Sequence, residues 1–130
     1  MILGLRTDKP LAELCLLRLD GTVASEYEWQ AHRLLADTLL AKIKELLESQ
    51  HIGFEQLEAV AVFKGPGSFT GLRIGVTVAN ALGYSLQKPV IGTAGDNWRQ
   101  SAVDRFKSGN FDAIVLPEYG AEAHITLPKK

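Results

Sequence analysis

The chain has 130 residues, a formal net charge of −1, 46% hydrophobic residues and 22% charged ones, which excludes a disordered segment and fits one compact body with a real core. The near balance of Lys and Arg against Asp and Glu excludes the basic excess that drives direct binding of a nucleic-acid backbone. One cysteine excludes a disulfide within the chain, and no apolar run reaches the roughly 18 residues of a membrane span. No signal-peptide pattern opens the sequence, so a cytoplasmic location is expected. Cys15, in the apolar stretch "LCLLRL", reads as a buried structural thiol.

In chain order, "MILGL", "LAELCLL" and "TVASEYEW" are three extended segments and predict an antiparallel meander. Asp20 and Gly21 between the last two have the composition of a two-residue type I′ hairpin turn. In the third strand Val23, Tyr27 and Trp29 fall on one face, and Glu26 and Glu28 on the other. From Ala31 to about Gln50 the period lengthens: Leu35, Leu39, Ile43, Leu46 and Leu47 recur every three or four residues, predicting an amphipathic helix that ends near Gly53. A strand "EAVAVF", a helix to about Leu86, a strand "KPVIG" and a helix in "DNWRQSAVDRFKSG" follow. "DAIVLP" and "EAHITL", joined through "EYGA", read as a terminal hairpin. The pattern predicts an α/β fold, a mixed five-stranded sheet with flanking helices.

Gly65, Pro66, Gly67 and Gly71 bracket Ser68, Phe69 and Thr70 between a strand and a helix, where an anion could be received. The spacing matches neither a Walker A loop nor G-x-G-x-x-G. Two readings stand: an anion or nucleotide loop of Gly65, Gly67, Ser68, Thr70 and Arg73, or a tight turn that lets helix and strand pack closely. The helix that follows carries no charge from Arg73 to Lys88, although a surface helix ordinarily shows a charged face. Gly71, Gly75, Ala79 and Gly83 recur at intervals of four and form a stripe of small residues. Each interior glycine costs roughly 0.5–1 kcal/mol relative to Ala, so the stripe needs something pressed against it. That neighbour is either the chain's own sheet and first helix or a second subunit. The second reading makes Gly71, Leu72, Gly75, Val76, Ala79, Asn80 and Gly83, with Leu35 and Leu39, a partner interface. It expects Ala79→Glu to abolish pairing without unfolding the domain.

"FKGPGSFTGLRIGVTVANAL", followed by "KPVIGTAG", strongly resembles the bacterial TsaB (YeaZ) family, accessory proteins of tRNA threonylcarbamoyladenosine biosynthesis; "HRLLADTLLAKIKELL" and "FEQLEAVAV" extend the resemblance over roughly residues 1–95. It implies the ASKHA fold of actin, Hsp70 and sugar kinases, with residues 1–110 as the N-terminal lobe and 111–130 as a hairpin remnant of a second lobe. It further implies a noncatalytic scaffold that dimerises with the catalytic paralogue TsaD through helices of the first lobes. By the same resemblance, the ATPase TsaE is expected to engage the pair, tRNA to be met only indirectly, and ATP and metal to belong to the partner subunits. A homodimer through the same helices and an ATP-binding or phosphotransfer enzyme using the glycine loop are the alternatives. Two departures bear on chemistry. Where relatives carry an acidic residue after the first strand, this chain reads "LRTDKP", with Arg6 at the matching place and Asp8 displaced, and an Arg cannot hold magnesium. "TAGDNW" lacks the paired metal-binding histidines of the paralogue, and His32, His51 and His124 are too scattered to suggest a metal site.

Overall fold

Alternation of apolar side chains decides which helix covers which face of the sheet. The computed structural model describes residues 1–67 and 69–119 of the chain. Strands β1 (Ile2–Arg6), β2 (Leu11–Leu17) and β3 (Val23–Gln30) form the expected antiparallel meander; β4 (Ala59–Gly65) joins β1 in parallel and β5 (Val90–Ala94) joins β4 in parallel. The sheet is mixed and five-stranded, in the order β3-β2-β1-β4-β5, so β3 and β5 are its outer strands. With a period of two, Leu3, Leu5, Leu14, Leu16, Val60 and Val62 point to one face, and Ile2, Cys15, Leu17, Ala59, Ala61 and Phe63 to the other.

Helices α1 (Leu35–Ser49) and α2 (Phe69–Leu86) share the first face, and α3 (Trp98–Lys107) covers the second. The five apolar residues predicted for α1, Leu35, Leu39, Ile43, Leu46 and Leu47, are all buried, each removal from water stabilising by roughly 1.5–3 kcal/mol. On the far face, α3 delivers Trp98 against Phe63, ring centroids 6.1 Å apart and nearly perpendicular.

Three local expectations are corrected. The β2–β3 connection is not a type I′ turn: Gly21 alone has positive φ, at 92°. The Gly21 N–H donates to the Arg18 carbonyl at 2.9 Å, and Asp20 Oδ1 accepts from the Thr22 amide at 2.9 Å, giving a type I turn followed by a glycine bulge. Helix α1 stops before Gly53, because His51 itself takes the left-handed conformation at φ 57°. There the His51 N–H bonds the Glu48 carbonyl at 3.0 Å and the Ile52 N–H bonds the Leu47 carbonyl at 3.1 Å, the Schellman pattern. Finally, "DAIVLP" makes no strand among the described residues. Asp112 forms a single bridge to Val90, Val115 is 2% exposed, and Ile114 and Leu116 are 60% and 69% exposed. It is a strap pinned to Val90 of β5 and Asn80 of α2, while "EAHITL" lies outside the described residues.

Candidate functional site

The glycine loop is filled by its own chain. β4 ends at Gly65, whose φ of 127° precedes a cis bond to Pro66. A Cβ on Gly65 would collide with the Glu118 backbone oxygen, and one on Gly67 would stand 2.6 Å from the Asp8 Cβ. Asp8 is held there by Arg6, Nε to Oδ1 2.8 Å, and the Arg6 guanidinium lies 3.9 Å from the centre of the Phe63 ring. Its hydrogen bond to Asp8 outweighs burial and raises the Arg6 pKa, so the guanidinium stays charged. The proposed anion set is not gathered at one point: Gly65 and Gly67 meet the strap and Asp8, Thr70 and Arg73 line a groove between α1 and α2, and Ser68 lies outside the described residues.

The small-residue stripe faces inward, which corrects the interface expected from spacing. A Cβ on Gly71 would strike the Thr7 carbonyl, one on Gly75 the Thr7 hydroxyl, and one on Gly83 the Val90 side chain. Thr7, 1% exposed at the end of β1, donates its hydroxyl to the Gly71 carbonyl at 2.7 Å. Leu72, Val76, Ala79, Leu35 and Leu39 are all buried within the chain's own core. Asn80 is an internal clamp: its Nδ2 donates to the Val115 carbonyl and its Oδ1 accepts from the Val115 N–H, both at 2.9 Å. These residues bring α2 close to β1 and β5, and of them Leu35 and Gly71 also line a cleft beside Thr7 and Arg33.

What α2 does offer is its opposite face. Thr70, Arg73, Thr77, Ala81, Tyr84 and Ser85 are exposed, with Tyr84 89% accessible. Ile74 and Val78, half-buried, form the floor of a 530 Å³ groove whose far wall is Ala36 of α1. Leu34, just before α1, and Leu40 within it are also exposed, at 56% and 54%. An adjoining 340 Å³ cleft shares Thr70 and Ile74 and runs to Thr7, Lys9, Pro10 and Arg33. The stripe singled out from spacing lies on the inward side of α2, and Ala36, Ile74, Thr77 and Val78 of the outward groove were not among the expected residues. The signal that marks them is the uncharged stretch after Arg73.

Elsewhere the titratable groups are structural. Burial pushes the Cys15 thiol up to about 12, leaving it un-ionised and inert at neutral pH. Arg99 of α3 ties Glu13 at 3.3 Å and Glu26 at 3.1 Å, linking α3 to β2 and β3. Burial drives the Asp112 carboxyl upward, but the Gly92 N–H at 2.7 Å and the Arg105 guanidinium at 3.2 Å outweigh it and hold the group below the usual carboxylate range. Among the described residues no three His, Cys, Asp or Glu side chains form a metal-binding group. His124 lies outside them. No helix among them is long and apolar enough to cross a membrane.

Comparison with known proteins agrees with this fold. Residues 29–94 match the family model described as TsaD: tRNA N6-adenosine threonylcarbamoyltransferase. The Bacillus subtilis tRNA threonylcarbamoyladenosine biosynthesis protein TsaB is 36% identical over 92% of this chain, and the chain spans 50% of that relative's length. A tRNA N6-adenosine threonylcarbamoyltransferase of Anaplasma marginale is 38% identical over 55% of the chain, which spans 20% of it. Among solved structures, YeaZ from Pseudomonas aeruginosa superimposes with a TM-score of 0.65 at 31% identity, covering 72% of this chain and 43% of that one. The sheet order and helix placement are those of an ASKHA-type lobe, and with the matched stretch containing the glycine loop and all of α1 and α2, the chain belongs to the TsaB (YeaZ) family and carries a TsaD-like domain.

Proposed function

We propose that this chain is a noncatalytic scaffold subunit in tRNA threonylcarbamoyladenosine biosynthesis, pairing with a TsaD-type transferase through the outward face of α1 and α2. The observation that carries the reading is the 530 Å³ groove, walled by Ala36 and Thr77 and floored by Ile74 and Val78, on a helix with no charge between Arg73 and Lys88. An uncharged, partly apolar helix face of this kind is suited to a second helix, since ridges of one helix seat in grooves of the other. The relatives' names support the pathway. The Arg6–Asp8 pair and the crowded glycine loop support leaving the chemistry, ATP and metal to partner subunits. On this reading a TsaE-type ATPase engages the assembled pair and tRNA is bound by other subunits, while cytoplasmic residence follows from the substrate.

The test is co-expression with the TsaD paralogue of the same organism, followed by size exclusion with light scattering. The unaltered chain is expected to elute as a one-to-one complex. Ala36→Glu/Thr77→Glu, at two exposed positions, is expected to remove the complex while leaving the circular dichroism spectrum and thermal midpoint unchanged. Pairing that survives this double change overturns the assignment of the face.

A further inference from the structure

The sheet ends at β3 with its backbone open. The Ala31 N–H, one residue past the strand, donates to the Pro10 carbonyl at 2.9 Å. Bonds alternate along an antiparallel ladder, so Trp29 and Tyr27 bond inward to β2, while the N–H and C=O groups of Glu26, Glu28 and Gln30 point away from the sheet. Arg18, beside Asp20 at the turn, caps the start of this edge by donating to the Val23 carbonyl at 3.4 Å. Among the described residues no such partner stands at Glu26, Glu28 or Gln30. The same positions carry charge that the chain does not balance. Glu28 lies opposite Glu13 of β2 in a pair without hydrogen bonds, the kind with Cα atoms only about 4.5 Å apart, and like charges so placed repel. Arg99 of α3 is shared between Glu13 and Glu26, and Glu28 joins no ion pair with a described residue. On the other face, Lys42 of α1 donates to the Tyr27 hydroxyl at 3.3 Å and lies 3.8 Å from Glu45, which lines a 300 Å³ pocket with Ser25, Glu26 and Tyr27. Glu13, Glu26, Glu28 and Glu45 thus outnumber Arg99 and Lys42 along this margin.

We propose that the open edge of β3 receives an extended segment of a partner protein with Lys or Arg at alternate positions, added to the sheet as a further strand. Main-chain bonds to Glu26, Glu28 and Gln30 supply affinity, and cations spaced two residues apart meet Glu26 and Glu28, which share a face. A cation beside Glu28 also relieves its repulsion with Glu13. An acidic segment is repelled, and an apolar one strips water from carboxylates without replacing it. The side chains that turn away unselected strands therefore admit a basic one. None of Glu13, Glu26, Glu28 and Gln30 lines the groove between α1 and α2, so the inference is independent of the pairing face proposed above.

The probe is an acetylated, amidated decapeptide alternating Lys and Thr, titrated into the full chain at about 0.05 M NaCl, with affinity read by fluorescence anisotropy and amide exchange by NMR. It is expected to bind about tenfold or more tightly than the matching Glu–Thr peptide and to slow exchange at the Glu26, Glu28 and Gln30 amides, while Tyr27 and Trp29, already bonded to β2, change little. Glu26→Gln/Glu28→Gln, at two exposed positions, should weaken binding by about tenfold, with unchanged circular dichroism verifying the fold. A Lys–Thr peptide N-methylated at alternate residues keeps its charge and loses main-chain donors, and its binding should fall by a similar factor. Equal affinity for the methylated peptide reduces the contact to charge attraction and overturns strand addition. Equal affinity for the Glu–Thr peptide, or indifference to the glutamine variant, overturns the selection by charge. Protection of the same three amides that rises with protein concentration in the absence of peptide makes a second copy the occupant of the edge and overturns the proposal, as does the absence of binding.

Discussion

The two sides of α2 are made of different materials for different purposes. Toward the sheet stand Gly71, Gly75, Ala79 and Gly83, with Thr7 and Val90 pressed where their missing or minimal side chains leave room. Toward solvent stand Thr70, Arg73, Thr77, Ala81 and Tyr84, bordering a groove that the described residues leave open. The inward side sets how close the helix lies and the outward side sets what can approach it. A stripe of small residues thus reports close packing, and the neighbour must be found from the fold.

Substitutions on the inward side break this contrast most sharply. Ala79 has no exposed surface, so Ala79→Glu buries an unpaired charge and is expected to cost roughly 3–5 kcal/mol, unfolding the domain by denaturant titration. That replaces the expectation from spacing that this change would abolish pairing in a folded lobe. Next in size, Asn80→Ala strands the Val115 N–H and carbonyl, and is expected to cost about 2 kcal/mol, with faster hydrogen exchange confined to the strap around Val115. The smallest effect is the acid response of the same strap. The folded pKa of Asp112 is depressed, so its stabilisation is fully present above the unfolded value of about 3.9 and is lost as pH falls through the folded pKa. Protection of the Gly92 amide, which donates to Asp112, taken relative to intrinsic exchange at each pH, should stay high near neutrality and fall below about pH 4, and Asp112→Asn should flatten that dependence.

Most of the fold was legible because hydrophobic period reports burial directly. The run Leu35, Leu39, Ile43, Leu46, Leu47 leaves one solution for α1, and the strand alternation leaves one for the sheet. The candidate site was less legible for a physical reason. Intervals of four among Gly71, Gly75, Ala79 and Gly83 fix that they share a face, but tertiary contacts decide whether that face meets β1 or another protein. The same holds for "DAIVLP", whose apolar content suits a strand, although only Val115 reaches the core while Ile114 and Leu116 stay outside. His51 escaped notice because a left-handed helix end is ordinarily assigned to glycine, and Gly53 stood two residues away.

The outer strands bear on how such a domain stays unaggregated. An open sheet edge is a template for adding any extended chain, and both edges here are guarded. On one side Asp112 bridges Val90 and its carboxylate occupies the Gly92 amide. On the other, β3 carries exposed Glu26 and Glu28 on one face, so a strand docking alongside would meet carboxylates. Stray β-addition is therefore discouraged at both margins of the sheet, by a carboxylate in each case.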